Sequence, residues 1–561
     1  MPQQYPSQSA FCAFTYWCKR QVARPQVQGK GSNSKVSSKG TYRNTLSLVL
    51  LFILFATTTL SATTQRYRAT WREDPATSIT IGFEHPRGSN VRIVYDTQDF
   101  GRNVSAYRFS ANPARTVNHA GMRNVFVRLG GLRPGTLYYF LVVDSDGTSK
   151  RMIFETIHDR ADRPLSIVAG GDSRNNRQTA LMANRLVSKL QPHFVLFGGD
   201  MTNGDSDREW QQWLDDWQTT ISSTGRLTPI VPARGNHERS NASIYNLFDV
   251  PNPNVFYALN FAGGLLRTYT LNTLYPASGD QLQWLDRDLS RSKAMWKFAQ
   301  YHHSMRPHTA NKPERDELVL HWASRFYQYG MNLVIESDCH TVKQTWPIRP
   351  SRERGAKQGF IRDDRRGTVY VGEGCWGAPL RPNDDDKPWT RASGRFNQFK
   401  WIWVDVNQVQ VRTVDIDRSG YVMEENNLAT RFKSPPGFYY WEADNTGDVL
   451  RLPRRRGAPA PAKGPPVNAS TQTVIQPTSP PATLARDGNG AVRVSFGMPA
   501  TGRPTVMVIG PGNRLLWRGQ LSLRGPGPYS EKVQLPDLPH GAKMELVVKA
   551  GGKVVAKYGL Q

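Results

Sequence analysis

The sequence predicts a multidomain protein in which a β-sandwich precedes a layered α/β domain and a small β-domain follows it. Three observations carry that reading. Short β-branched and aromatic runs punctuated by turn residues fill residues 66–157. From Leu165 onward, apolar strand runs alternate with segments of helical periodicity. Beyond Leu452 the composition turns to Pro, Ala, Gly and Thr before strand-like runs return.

A chain of 561 residues is too long for one core. Its 38% hydrophobic content and 15 Trp describe packed globular material, which excludes a disordered polymer. The β-sandwich of residues 66–157 rests on Ser78–Phe83, Val91–Tyr95 and the Pro-Gly turn running into Thr136–Tyr139. Residues 160–418 read as the α/β domain, α-β-β-α layered, with residues 419–452 as its extension. Its strands are Leu165–Ala169, His193–Phe197, Pro229–Pro232, Trp296–Tyr301 and Asn332–Ile335. Its helices are Gln178–Leu190, Asp207–Ile221, Asp280–Leu289 and Glu314–Tyr329. Trp210, Trp213, Leu214 and Trp217 form the apolar stripe of the second of these. Residues 453–489 read as a linker and residues 490–561 as a C-terminal β-module, with strands around Val492–Phe496, Thr505–Ile509 and Met544–Val548.

Residues 1–65 combine a basic tail with an export-type segment. No acidic residue precedes Glu73, and an apolar run, Leu46–Ala56, is followed by Thr57, Thr58, Thr59, Ser61 and Ala62. That order of basic, apolar and small residues describes a signal peptide, or a retained anchor if Thr and Ser complete the span. Either way the remainder is expected outside the cytoplasm: periplasmic, at the cell surface or secreted. Four cysteines scattered over the chain make no disulfide framework. A formal charge of +26 suits anionic partners, among them phosphorylated substrates and an acidic cell surface. No aromatic-basic platform for nucleic acid is visible.

The chemistry lies where the strands end. The first runs into Gly171-Asp172-Ser173-Arg174, the second into Gly199-Asp200-Met201-Thr202-Asn203, and the third into Gly235-Asn236-His237-Glu238. The fourth runs into His302-His303 and the fifth into Glu336-Ser337-Asp338-Cys339-His340. Ligands of open α/β sheets bind at the carboxyl ends of strands, so five ends carrying Asp, Asn and His should converge on one crevice. Glycine before Asp172, Asp200 and Asn236 removes bulk where backbones crowd together. A single Gly-Asp is usually a turn; the ordered set of five is what is specific.

With those motifs, the chain resembles the calcineurin-like metallophosphoesterases, and within them the purple acid phosphatases, over roughly residues 165–417. Residues 66–157 are similar to the fibronectin III-like domain that precedes the catalytic domain in purple acid phosphatases. The resemblance implies a dinuclear centre in which Asp200 bridges two metal ions. Asp172 and His340 would hold the first ion, and Asn236, His302 and Asp338 the second. His237 would contact the phosphoryl group or the leaving oxygen, with Arg174 and His308 as further catalytic candidates. Arg306 and His303 are candidates for substrate contact, and His303 also competes with His302 as the ligand of that strand end. The implied reaction is hydrolysis of a phosphate monoester, with two close cations polarising the phosphate and lowering the pKa of a shared water.

Two departures from the family pattern bear on the metal. Asn203 stands where purple enzymes carry an iron-binding tyrosine, which removes the basis for their colour and leaves Asn203 as a candidate ligand. Asp338 stands where the family carries a histidine; as a ligand it would make three carboxylates face the ions, favouring iron or manganese over zinc, and if it is no ligand the second site would be weak or empty. Phosphodiesterase or nucleotidase action on the same site is the alternative chemistry. A surface- or carbohydrate-binding protein with a vestigial phosphatase domain is the alternative class.

Overall fold

The structure is a computed structural model that describes residues 63–443, 446–455, 483–484, 491–498, 504–510, 515–521, 527–535, 544–550 and 553–560. The export-type segment and most of the proline-rich stretch lie outside the described residues. Among the described residues no helix is long and apolar enough to cross a membrane.

Two β-sheets form the centre of the α/β region. The first has the order Ile230–Pro232, Phe194–Phe197, Leu165–Gly170, Gln398–Val404, Gln408–Asp415, Val449–Pro453. Its first three strands are parallel, and the last three add antiparallel. The second sheet has the order Tyr257–Phe261, Leu266–Thr270, Trp296–His303, Leu333–Ser337, Val369–Gly372, Val342–Thr345, Thr390–Gly394. Leu266–Thr270, Trp296–His303, Leu333–Ser337 and Val369–Gly372 run parallel.

Alternation along the second sheet explains the layering. Leu333, Ile335, Val369 and Val371 join a core shared with the first sheet. Val334, Tyr370, Ala299 and Tyr301 point the other way, into a second core with Leu285, Leu289, Trp322 and Phe326 of the outer helices. The first sheet packs the Arg177–Leu190 and Asp207–Trp217 helices through Leu186, Val187, Trp210 and Leu214. A capping box in which Ser206 and Glu209 bond each other's backbone N–H groups starts the second of these. The helical run expected at 314–329 begins at Asp316 and passes through a π-type turn at Val319–Ala323.

Residues 65–155 form two antiparallel sheets. One has the order Gln65–Thr70, Ile79–Glu84, Met122–Leu129, Arg115–His119. The other is built around Arg92–Asp96 and Leu137–Asp144. Phe83, Val125 and Val127 of one and Ile93, Phe140 and Val142 of the other share a core. Trp71 continues that core into the α/β region, edge-on to Phe194 and Phe261 at 5.9 and 5.6 Å. Asp249, at the end of the Asn241–Phe248 helix, accepts bonds from Arg72, Arg115 and Arg128 of the N-terminal strands and their flank. The C-terminal strands form a five-stranded sheet and the antiparallel pair Ala491–Met498 with Gly527–Gln534.

Candidate metal centre

The parallel strands end beside one another, and their terminal loops carry the donors. Asp172 follows Leu165–Gly170, Asp200 follows Phe194–Phe197, and Asn236 follows Ile230–Pro232. His302 is the penultimate residue of Trp296–His303, and Asp338 and His340 follow Leu333–Ser337. Four of these residues take a left-handed backbone that side chains other than glycine seldom adopt: Asp172 (φ 61°), Asp200 (φ 53°), Asp338 (φ 71°) and His340 (φ 55°). Strained backbone of this kind gathers where function requires a fixed geometry.

All six ligand candidates meet. Nε2 of His302 lies 3.0 Å from Oδ1 of Asn236, 3.3 Å from Oδ1 of Asp200 and 3.6 Å from Oδ1 of Asp338. Nε2 of His340 lies 3.2 Å from Oδ1 of Asp172. Ligand atoms of Asp172, Asp200 and His302 fall within 4.8 Å of one another, as do those of His302, His303 and Asp338.

The imidazoles are oriented from behind. Nδ1–H of His302 donates to the Gly198 carbonyl at 2.9 Å, and Nδ1–H of His340 donates to the Pro379 carbonyl at 2.8 Å. Each bond leaves Nε2 as the atom offered to the cluster, the arrangement that metal-ligating histidines use. Oxygens of Asn236, Asp200 and Asp338 thus converge on Nε2 of one imidazole. Such a set fits a bound cation.

The charges answer to one another. Burial would raise the Asp200 carboxyl, but the adjoining His302 brings it down to about 2. Burial disfavours the His302 imidazolium, yet Asp200 and Asp172 hold it well above its ordinary value. Burial and the neighbouring His302 push His303 down to about 3. Asp338 is held well below the carboxylate range by His302, His303 and Lys312 against the opposing effect of burial.

Several supports come from residues to which the strand-end motifs assign no role. Glu238 accepts from the amides of Asp200 (2.9 Å), Met201 (2.7 Å) and Gly235 (2.7 Å), locking two ligand loops together. Burial, and then Asp200, push its carboxyl up to about 7. Lys343 is buried between Glu336 (2.6 Å) and Glu373 (2.5 Å) behind the fifth strand end. A Cβ on Gly374 would lie 1.8 Å from Oδ2 of Asp172, so the 372–377 loop is pressed against that ligand. A Cβ on Gly235 would meet Oδ1 of Asp200 at 2.2 Å, which gives the glycine before Asn236 its reason. Cys339, buried between Asp338 and His340, packs inward.

The remaining candidates separate. Nη2 of Arg174 donates to Oδ1 of Asn203 at 2.8 Å, and its Nη1 lies 3.5 Å from His340, at the mouth of the cluster. Asn203 therefore turns its oxygen to Arg174. His237 sits beside Asp200, its Nε2 3.8 Å from Oδ2, and its Nδ1–H donates to the Asn203 carbonyl at 2.5 Å. His303 lies within ligand reach of Asp338. Arg306 and His308 are not brought to the cluster. The Arg306 guanidinium is spent on the Gln358 and Met305 carbonyls and on Asp316 and Glu314. His308 is buried with its Nε2 2.7 Å from the Thr390 hydroxyl, under Trp389. The chain turns inward after Ser304, so closeness to His302 in sequence does not become closeness in space.

Residues 157–341 match the family model described as calcineurin-like phosphoesterase. The chain carries a calcineurin-like metallophosphoesterase domain. An uncharacterized protein of Mycobacterium tuberculosis is 25% identical over 358 residues, covering 53% of this chain and 64% of the relative. Purple acid phosphatase 15 of Arabidopsis thaliana is 23% identical over 264 residues, covering 39% of this chain and 49% of the relative. The chain thus spans less than two thirds of the length of these relatives. The purple acid phosphatase from yellow lupin (Lupinus luteus) seeds shares the fold, with a TM-score of 0.53 at 13% identity over 67% of this chain and 76% of the lupin chain. All five strand ends that build the cluster lie inside the matched phosphoesterase domain.

Proposed function

We propose that this domain is a metal-dependent hydrolase of phosphate monoesters. The observation that carries the proposal is the convergence of Asn236, Asp200 and Asp338 oxygens on Nε2 of His302, with the imidazole tautomer set by the Gly198 carbonyl. Asp172, Asp200 and His340 would hold one ion, and Asp200, Asn236, His302 and Asp338 a second; with three carboxylates this donor set favours iron or manganese over zinc. Such ions, when bound, supply Lewis acidity toward phosphoryl oxygens and water.

The chain's own groups do the rest. Arg174, anchored by Asn203, presents a guanidinium suited to two phosphoryl oxygens. His237, whose side chain is 26% exposed, stands at the edge of the cluster, where its imidazole can hand a proton to the departing alkoxide. A cavity of ≈ 300 Å³ beside them, lined by Ser173, Arg174, Met201, Asn203 and Trp213, receives the organic part of the ester. The two N-terminal sheets serve as a fibronectin III-like companion domain, and the chain is exported before it acts.

The test is hydrolysis of an aryl phosphate monoester and an aryl phosphate diester before and after chelation and re-addition of manganese, iron or zinc. The proposal expects metal-restored activity that favours the monoester. Preference for the diester would move the function to a phosphodiesterase. Absence of activity with every metal would move it to a binding role.

A further inference from the structure

The Asp338 side of the cluster contains a cation of the protein's own. Lys312 lies on the loop between the Trp296–His303 strand and the helical turn at Asp316–Leu318. That loop is tied down by its neighbours: the Lys312 amide bonds the Thr309 carbonyl at 3.3 Å, and the Ala310 amide bonds Oδ1 of Asp384 at 2.9 Å. From there the Lys312 ammonium reaches inward and pairs with Oδ1 of Asp338. This is the same oxygen that faces Nε2 of His302 at 3.6 Å. The Lys312 side chain is 19% exposed and that of Asp338 only 4%.

On the other side of the cluster Arg174 lies 3.5 Å from Nε2 of His340 and bonds Asn203, not a carboxylate. Among the described residues the carboxylates of Asp172 and Asp200 pair with histidines alone. An ammonium and a metal ion repel each other strongly when they share one buried carboxylate. Lysine on a surface loop has the length and freedom to leave such a carboxylate for solvent.

Building on the metal-centre reading above, we infer that Lys312 competes with a metal ion for Asp338, so that the two halves of the centre fill unequally. The half built by Asp172, Asp200 and His340 binds first and tightly. The half that depends on Asp338 binds only as Lys312 withdraws.

Equilibrium dialysis of the metal-free full chain against manganese, with metal counted by atomic absorption, tests this. Wild type should take up one ion tightly and a second about tenfold or more weakly. Lys312→Met should tighten the second step by about tenfold or more and leave the first within about twofold. Lys312→Arg, which keeps the charge, should retain the weak second step. If Lys312→Met does not fold, as judged by its melting curve, Lys312→Gln provides the same comparison. Two equal steps in wild type, or a second step unmoved by loss of the charge, would overturn the inference while leaving the tight site standing. Wild type that binds no manganese overturns the metal centre itself.

Discussion

Substituting Gly374 by alanine should abolish binding of the metal ion proposed for the Asp172 half of the centre. Gly374 has φ +74°, and its added Cβ would lie 1.8 Å from Oδ2 and 2.6 Å from Cγ of Asp172. Ordinary contact begins near 3.4 Å. The carboxylate or the loop must therefore move by the difference, 3.4 − 1.8, about 1.6 Å, several times the tolerance of a metal–oxygen bond near 2.0–2.2 Å. The same oxygen accepts the Asp338 amide at 3.0 Å, so the displacement also loosens the fifth strand end. Metal affinity should fall about 100-fold, and hydrolysis of an aryl phosphate with it. The left-handed backbone alone adds about 1–2 kcal/mol of destabilisation. Gly355→Ala is the control, because Gly355 has φ +96° but open space around its Cβ position. It should carry the backbone strain with unchanged metal content. The assay is metal content after chelation and reloading, together with initial rates. A Gly374→Ala protein that matches Gly355→Ala in both would refute the packing argument.

Other perturbations follow from the same structure. Asp249→Asn keeps a side chain that tolerates φ 49° but removes the charge facing Arg72, Arg115 and Arg128; urea melts should show a loss of about 3 kcal/mol. Burial would raise the Glu155 carboxyl, but Arg431 and Arg226 outweigh it and hold it below its ordinary value of 4.5. Its stabilisation is therefore complete above that value and is lost as pH falls through the lower folded value. Glu155→Gln should cost about 2–4 kcal/mol at neutral pH, with the gap from wild type closing in acid, as followed by urea midpoints across pH. Arg174→Met should lower kcat/KM for an aryl phosphate about 10- to 100-fold without changing the melting temperature.

Much of the site was legible because the chemistry sits in short local motifs. Each apolar strand run ends directly in a ligand, so Leu165–Gly170 announces Asp172 and Phe194–Phe197 announces Asp200. What was hidden depends on contacts between distant residues. Lys312 reads as one more surface lysine until the fold brings it to Asp338. Glu238 reads as part of a loop until its carboxylate gathers the amides of Asp200, Met201 and Gly235. The Gln398–Val404 strand was equally hidden. Its Lys400 is buried, with burial lowering the amine to about 7, and a charged residue in a strand gives no sign of a core position. Arg306 and His308 misled in the opposite direction, since adjacency to His302 does not survive the turn after Ser304.

The strand-end carboxylates are proposed to hold the metal that performs phosphoester hydrolysis. Asp200 is shared by both proposed halves of the centre, so Asp200→Asn tests this most directly. Metal content and aryl phosphate hydrolysis should be measured on wild type and on this variant, with circular dichroism confirming equal folding. Bound metal in wild type, with metal and hydrolysis both lost in a folded Asp200→Asn, is the predicted result. A folded variant that hydrolyses as wild type does, or a wild type that hydrolyses while free of metal, would contradict it.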